Sequence, residues 1–172
     1  MQKPRCASGA QLAQQLRDLR DQKGMSQDAL ARASTVSRPS ITAIERGQSN
    51  PRLETLEQLA RALDVGVLEL ITSSISSRSA TDDRTSLERI ARNVNRLRAA
   101  RGVSQETLSE QSGHFRTYVG NLEHQAVNPS LADIETIASV LEVGIEALLA
   151  PLEPSALKAD MQKLVRKARK ED

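Results

Sequence analysis

The sequence predicts an all-α protein built from two tandem five-helix bundles joined by a flexible linker, with an amphipathic C-terminal helix after them. Three observations carry this expectation. The 172 residues include one Phe, one Tyr and no Trp, so the cores must be assembled from Leu, Ile, Val and Ala; strands are usually enriched in aromatic and β-branched side chains, and this composition favours helices. The chain also matches itself without a gap at an offset of 78 residues, from Leu12/Ile90 to Ile71/Leu149. In both copies, finally, the apolar residues recur at the spacing of a single helical face. The expected organisation is an N-terminal arm at 1–9, a first bundle at 10–72, a Ser-rich linker at 73–85, a second bundle at 86–150 and a helical tail at 151–172.

Helix one carries Leu12, Leu16 and Leu19 in the first copy and Ile90, Val94 and Leu97 in the second. Each set forms one buried stripe at i, i+4, i+7. Capping-box patterns, Ser8 with Gln11 and Thr85 with Glu88, predict where the helix starts. Gly24 and Gly102 predict where it stops, because a left-handed residue is cheapest at glycine. Ser26 and Ser104 are N-caps for helix two, expected to run to about Ala33 or Gln111. Helix three opens at Ser37, or at the His114–Phe115 pair, and turns Ile41 and Ile44, or Val119 and Leu122, inward. Asn50-Pro51 and Asn128-Pro129 break the chain before helix four, whose inward residues are Leu53, Leu56, Leu59 and Leu63, or Leu131, Ile134, Ile137 and Leu141. A short fifth helix, Val67 to Ile71 or Ile145 to Leu149, closes each bundle.

The stretch between the copies, TSSISSRSATDDRTS, has the composition of a flexible linker. In the tail, Leu157, Met161, Leu164 and Ala168 share a helical face with lysines and arginines opposite, which suits packing on the second copy or pairing with another chain. No run of about 18 apolar residues occurs and the N-terminus lacks the apolar centre of a signal peptide, so a cytoplasmic protein of bacterial or phage type is expected, without membrane attachment. The single cysteine, Cys6, allows no internal disulfide and reads as a bystander in a polar arm.

His114 and His124 have no Cys or carboxylate cluster at ligand spacing, so neither a metal site nor a cofactor is expected. An enzyme is equally disfavoured: there is no glycine-rich phosphate loop and no nucleophile–base constellation, and Asp82-Asp83 reads as a solvated linker pair. The net charge of +2 conceals an asymmetry. Residues 1–78 carry 11 Lys and Arg against 8 Asp and Glu, whereas residues 79–150 carry 7 against 10. The first copy is therefore mildly basic, as nucleic-acid binding requires, and the second is acidic.

The segment LRDLRDQKGMSQDALARASTVSRPSITAIERGQSNP, followed by LETLEQLARALDVG, resembles the helix-turn-helix domain of the phage repressor and Cro family, also called the xenobiotic-response-element family of bacterial regulators. LRAARGVSQETLSEQSGHFRTYVGNLEHQAVNP with LADIETIASVLEVG resembles it too, and RTYVGNLE is similar to the controller proteins of restriction–modification systems. The resemblance covers about 120 of the 172 residues. It implies two lambda-repressor-like helix-turn-helix domains and a transcriptional regulator, most often a repressor, whose partner is a double-stranded DNA operator.

In such a domain the second helix of the pair lies in the major groove. Helix three would occupy 37–46, and 115–124 in the second copy. Ser37, Arg38, Pro39, Thr42 and Ala43 would then face the bases. Proline is tolerated in a first turn whose N–H groups lack intrahelical partners. Arg38 suits guanine O6 and N7, a contact worth ~1–3 kcal/mol of discrimination. In the second copy the same positions are Phe115, Arg116, Thr117 and Asn121, with Asn121 suited to adenine and Phe115 to a thymine methyl. By resemblance, Gln27 and Gln105 anchor phosphates at the start of helix two, while Ser40, Arg46, Asn50 and Arg52 flank the groove. Arg20 with Glu45, and Arg98 with Glu123, are implied to be structural ion pairs between helices one and three.

The second copy departs from the pattern. Glu45-Arg46-Gly47 becomes Glu123-His124-Gln125, and Phe115 and Tyr118 both fall on its helix three. Exposed aromatics are enriched at protein interfaces. Two alternatives therefore stay open: the second copy, or the C-terminal helix, forms a homodimer, or the chain is an interaction protein such as an antitoxin or anti-activator that binds a protein partner.

Overall fold

The computed structural model describes residues 7–72 and 85–151, and within them the chain forms ten helices. The first copy contributes α1 (Ala7–Gln22), α2 (Gln27–Ser34), α3 (Arg38–Glu45), α4 (Leu53–Ala62) and α5 (Val67–Ile71). The second contributes α6 (Ser86–Ala100), α7 (Gln105–Gln111), α8 (Tyr118–Glu123), α9 (Leu131–Val140) and α10 (Ile145–Leu149). Nearly all of the Ser-rich linker, most of the N-terminal arm with Cys6, and the amphipathic tail lie outside the described residues. No helix among the described residues is long and apolar enough to cross a membrane.

Capping chemistry sets most of the helix ends. Ser26 and Ser104 accept from the Ala29 and Thr107 amides, and Thr85 and Glu88 satisfy each other's backbone N–H in a full capping box. Gly24 and Gly102 take positive φ just past α1 and α6. Two expected starts are corrected. Ser8 lies inside α1, which begins at Ala7, so it is not the cap of that helix. In the second copy helix three starts at Tyr118, not at the His114–Phe115 pair, and has six residues where α3 has eight. The reason is local. In the first copy the Ser37 hydroxyl accepts from the Ser40 amide, but the corresponding Phe115 has no oxygen to offer. Phe115 to Tyr118 therefore forms a turn closed by Tyr118 N–H donating to the Phe115 carbonyl at 2.8 Å. The Ser109 hydroxyl of α7 accepts from the buried Val119 N–H at 3.0 Å in place of a cap from Thr117, which makes none.

Leu12, Leu16, Leu30, Ile41, Ile44, Leu56 and Leu59 in the first copy, and Ile90, Val94, Leu108, Val119, Leu122, Ile134 and Ile137 in the second, belong to one apolar cluster that runs through both. Each such side chain contributes ~1.5–3 kcal/mol when fully buried. Leu97, expected on the buried stripe, is only partly buried.

The copies meet directly. Asn50-Pro51-Arg52 and Asn128-Pro129-Ser130 run antiparallel, bridged between Arg52 and Ser130. Leu53 N–H donates to the Pro129 carbonyl at 2.8 Å, and Leu131 N–H to the Pro51 carbonyl at 2.9 Å. Asn128 Oδ1 accepts from Glu54 N–H at 3.3 Å, and Asn50 Oδ1 from Ala132 N–H at 3.0 Å. The first amides of a helix have no partner within it. Here each copy supplies partners for the fourth helix of the other, in bonds related by the 78-residue offset. The helix contacts obey the same relation, with α1 against α9 and α4 against α6. The two halves are thus arranged about an internal pseudo-two-fold axis.

Candidate nucleic-acid interface

Helices α2 and α3 pack together, as do α7 and α8, and in each pair the second is held from beneath by a buried carboxylate. Arg20 Nε donates to Glu45 Oε1 at 2.7 Å and Arg20 Nη1 to the Met25 carbonyl at 2.8 Å, so α1 grips both the turn and the end of α3. Arg98 repeats this on Glu123 at 2.8 and 3.1 Å and on the Val103 carbonyl at 3.0 Å. The Glu45 and Glu123 side chains are each 5% exposed. Burial pushes the Glu123 carboxyl up, but hydrogen bonds from Arg98, Asn95 and Gln105 outweigh it and hold the group below the usual range. The Glu45 hydrogen bond holds Arg20 more firmly in its charged form than usual.

Gln27 and Gln105 join these clusters. Gln27 Nε2 donates to Glu45 Oε2 at 2.7 Å while its Oε1 accepts from Thr42 at 3.0 Å; Gln105 Nε2 donates to Glu123 Oε2 at 2.6 Å. Their side chains tie helix two to helix three. Asn50 and Arg52, expected beside the groove, are exposed and also bond across the junction of the two copies. Asn50 Nδ2 donates to the Ser130 hydroxyl at 2.9 Å and Arg52 Nη1 to the Asn128 carbonyl at 2.8 Å, both across the pseudo-two-fold axis.

The remaining candidates lie on the outer surface. Ser37, Arg38, Pro39, Ser40 and Arg46 are exposed, and Thr42 and Ala43 are half-buried beside them. In the second copy Phe115, Arg116, Thr117 and Asn121 are exposed, Phe115 by 89%. Tyr118 is not the exposed aromatic its position suggested. It stacks on His114 with ring centroids 4.0 Å apart and donates its hydroxyl to Asp133 Oδ2 at 3.2 Å. Burial, then the Asp133 charge, raise the Tyr118 pKa well above its ordinary value. Burial pushes Asp133 up as well, but the Ser130 amide and hydroxyl and His114 outweigh it and hold the carboxyl low. This His114–Tyr118–Asp133 group ties the start of α8 to α9. It was missed in the sequence because its members are Val36, Ser40 and Thr55 in the first copy, so the repeat gave no signal. The junction residues Asn128, Pro129 and Ser130 were missed too, although the identity of Asn50 with Asn128 and Pro51 with Pro129 was a usable one.

Two helix pairs of this geometry, each presenting an outer face with arginine near its start, define a tandem helix-turn-helix protein. A profile of the helix-turn-helix family matches residues 16–70 and again 94–148, and the chain belongs to that family, in its phage repressor and Cro branch. Similar relatives include the HTH-type transcriptional regulator DdrOP3 of Deinococcus deserti, 38% identical over 60 residues that are 35% of this chain and 46% of the relative. The cryptic phage CTXphi transcriptional repressor RstR of Vibrio cholerae is 36% identical over 34% of this chain and 53% of its own length. Control protein C.SmaI of Serratia marcescens is 37% identical over 36% of this chain and 74% of its own length. The chain thus spans about half the length of the first two curated relatives it matches.

Proposed function

We propose that this chain is a DNA-binding transcriptional regulator that acts as a dimer within one polypeptide and represses by occupying a promoter. Helix α3 and the Phe115–Glu123 segment would enter successive major grooves of an imperfect palindrome, Arg38 and Arg116 each reading a guanine. Ser37, Thr42 and Ala43 would complete the first reading surface and Phe115, Thr117 and Asn121 the second, with Pro39 stiffening the first tip and Ser40 and Arg46 beside the backbone. The observation that carries this reading is the reciprocal bonding of Asn50–Glu54 with Asn128–Ala132, because it relates the two helix pairs by the pseudo-two-fold axis that a palindromic site demands.

Footprinting on the DNA upstream of its own gene tests the proposal. Two protected half-sites about 34 Å apart are expected, with one chain bound per site. Arg38→Ala and Arg116→Ala should each weaken binding by ~1–3 kcal/mol and release protection on one side only. A second reading is favoured by the exposure of Phe115: the second copy would face a protein partner, as an antitoxin or anti-activator does. Under that reading Arg116→Ala leaves the footprint untouched, and Phe115→Ala disrupts a stoichiometric protein complex.

A further inference from the structure

Asp28 and Glu106 stand 78 residues apart at the second position of α2 and of α7, outside the base-reading surface described above. Each meets the arginine at the tip of the neighbouring reading segment. Arg38 Nε lies 3.4 Å from Asp28 Oδ1. Arg116 Nη2 donates to Glu106 Oε2, and its Nε lies 4.0 Å from Glu110 Oε1. These side chains are between 52% and 66% exposed, so the pairs add little to stability. They nevertheless recur in both copies although the surrounding residues differ, VSRP against HFRT.

We propose that Asp28 and Glu106, the latter with Glu110, are positioning residues that set DNA selectivity: they aim each arginine's fork at a guanine edge and oppose its capture by phosphate. This rests on the DNA-reading function proposed above. A guanidinium has five N–H donors and a bidentate guanine contact uses two, so the carboxylate keeps its bond in the matched complex. A phosphate offers no such accommodation. To reach it the guanidinium must turn toward the backbone, and the phosphate then lies close to the carboxylate of like charge. Mismatched binding, which is dominated by phosphate contacts, is therefore penalised more than matched binding. The penalty is larger in the second copy, where two glutamates face one arginine and the surrounding charge is acidic.

The test uses the full chain and a duplex that the wild-type protein recovers from a random-sequence pool. Dissociation constants are measured across a salt series for that duplex and for the same duplex with its base order shuffled. The variants are Asp28→Asn, Glu106→Gln, Glu106→Gln with Glu110→Gln, and Glu106→Asp; Glu146→Gln on α10 is the charge-matched control for each single neutralisation, and Glu142→Gln with Glu146→Gln is the control for the double one. The double glutamine variant should bind the shuffled duplex about tenfold more tightly while the selected duplex changes by less than about threefold. Glu106→Asp, which carries the residue of the first copy, should keep most of the selectivity, and all variants should melt like the wild type. A parallel shift for both duplexes, matching the control of the same charge change, overturns the proposal by reducing it to bulk charge. If the wild-type chain recovers no duplex at all, the DNA-reading function itself falls and this inference falls with it.

Discussion

Glu45 and Glu123 are the residues on which the two reading helices turn, since each gathers an arginine from the first helix of its copy and a glutamine from the second around one buried carboxylate. Removing Arg20 strands a charge that Gln27 alone cannot balance. Arg20→Met should lower stability by about 3 kcal/mol, and adding Glu45→Gln should recover much of it, because the uncompensated charge is gone; denaturant unfolding of the single and double variants checks both. Acid should act through Glu123 and Asp133, whose carboxyls are held below their ordinary range when folded. A folded value below the unfolded one means that this stabilisation is complete above the ordinary carboxylate value of about 4 and drains as pH falls through the folded values. Melting temperature against pH should therefore be flat near neutrality and fall in acid, with a shallower acid limb for Glu123→Gln. At this scale the sequence was only half legible. Arg20/Glu45 and Arg98/Glu123 stood out as identical pairs that the resemblance joined, whereas Gln27 and Gln105, next to capping serines, read as phosphate anchors, and only the packing of α2 on α3 and of α7 on α8 brings them onto the carboxylates.

The contrast between α3 and α8 is the main lesson about elements. Stripes such as Ile41/Ile44 and Val119/Leu122 follow from helical periodicity alone, and both pairs are buried. The start of α8 did not follow, because it depends on Ser109, a residue of another helix that stands where the first copy has Ala31. Ser109→Ala should leave the Val119 N–H buried without a partner and cost about 1–3 kcal/mol, while Ala31→Ser in the first copy should gain nothing comparable, since Ser37 already caps α3. Thermal melting of the two variants separates these outcomes. The end of α8 carries a second peculiarity. Gln125 holds φ of 58° where Gly47 holds 65° in the first copy. A side chain in that left-handed region is strained, so Gln125→Gly should raise stability by about 0.5–1 kcal/mol, visible as a higher melting temperature.

For the whole molecule, the 78-residue repeat was plain in the sequence but the joint between its halves was not. Asn50, Pro51 and Arg52 read as a helix break followed by groove-flanking polar groups, because nothing in a single copy reveals what its fourth helix lacks. Only the second copy supplies the missing partners, and a self-complementary joint needs like residues on both sides, as Asn50/Asn128, Pro51/Pro129 and Leu53/Leu131 are. The joint gives a prediction that reaches function. Asn50→Ala with Asn128→Ala deletes the two side-chain bonds that cap amides of the opposite fourth helix, each worth about 1 kcal/mol by analogy with other N-caps, together with the Asn50–Ser130 and Asn128–Glu54 side-chain bonds, and leaves the core of each copy intact. The two reading helices would then lose their fixed separation, so that the second contact no longer follows from the first at high effective concentration. Affinity for a complete operator should fall about tenfold or more, while affinity for an isolated half-site should stay where it was. Spacing makes the sharper measurement. Inserting two or three base pairs between half-sites should cripple the wild-type chain and affect the double variant much less, because a loosened joint tolerates both separations equally. Unchanged sensitivity to spacing in the double variant would mean that some contact other than the Asn50–Asn128 joint sets the separation of the reading helices.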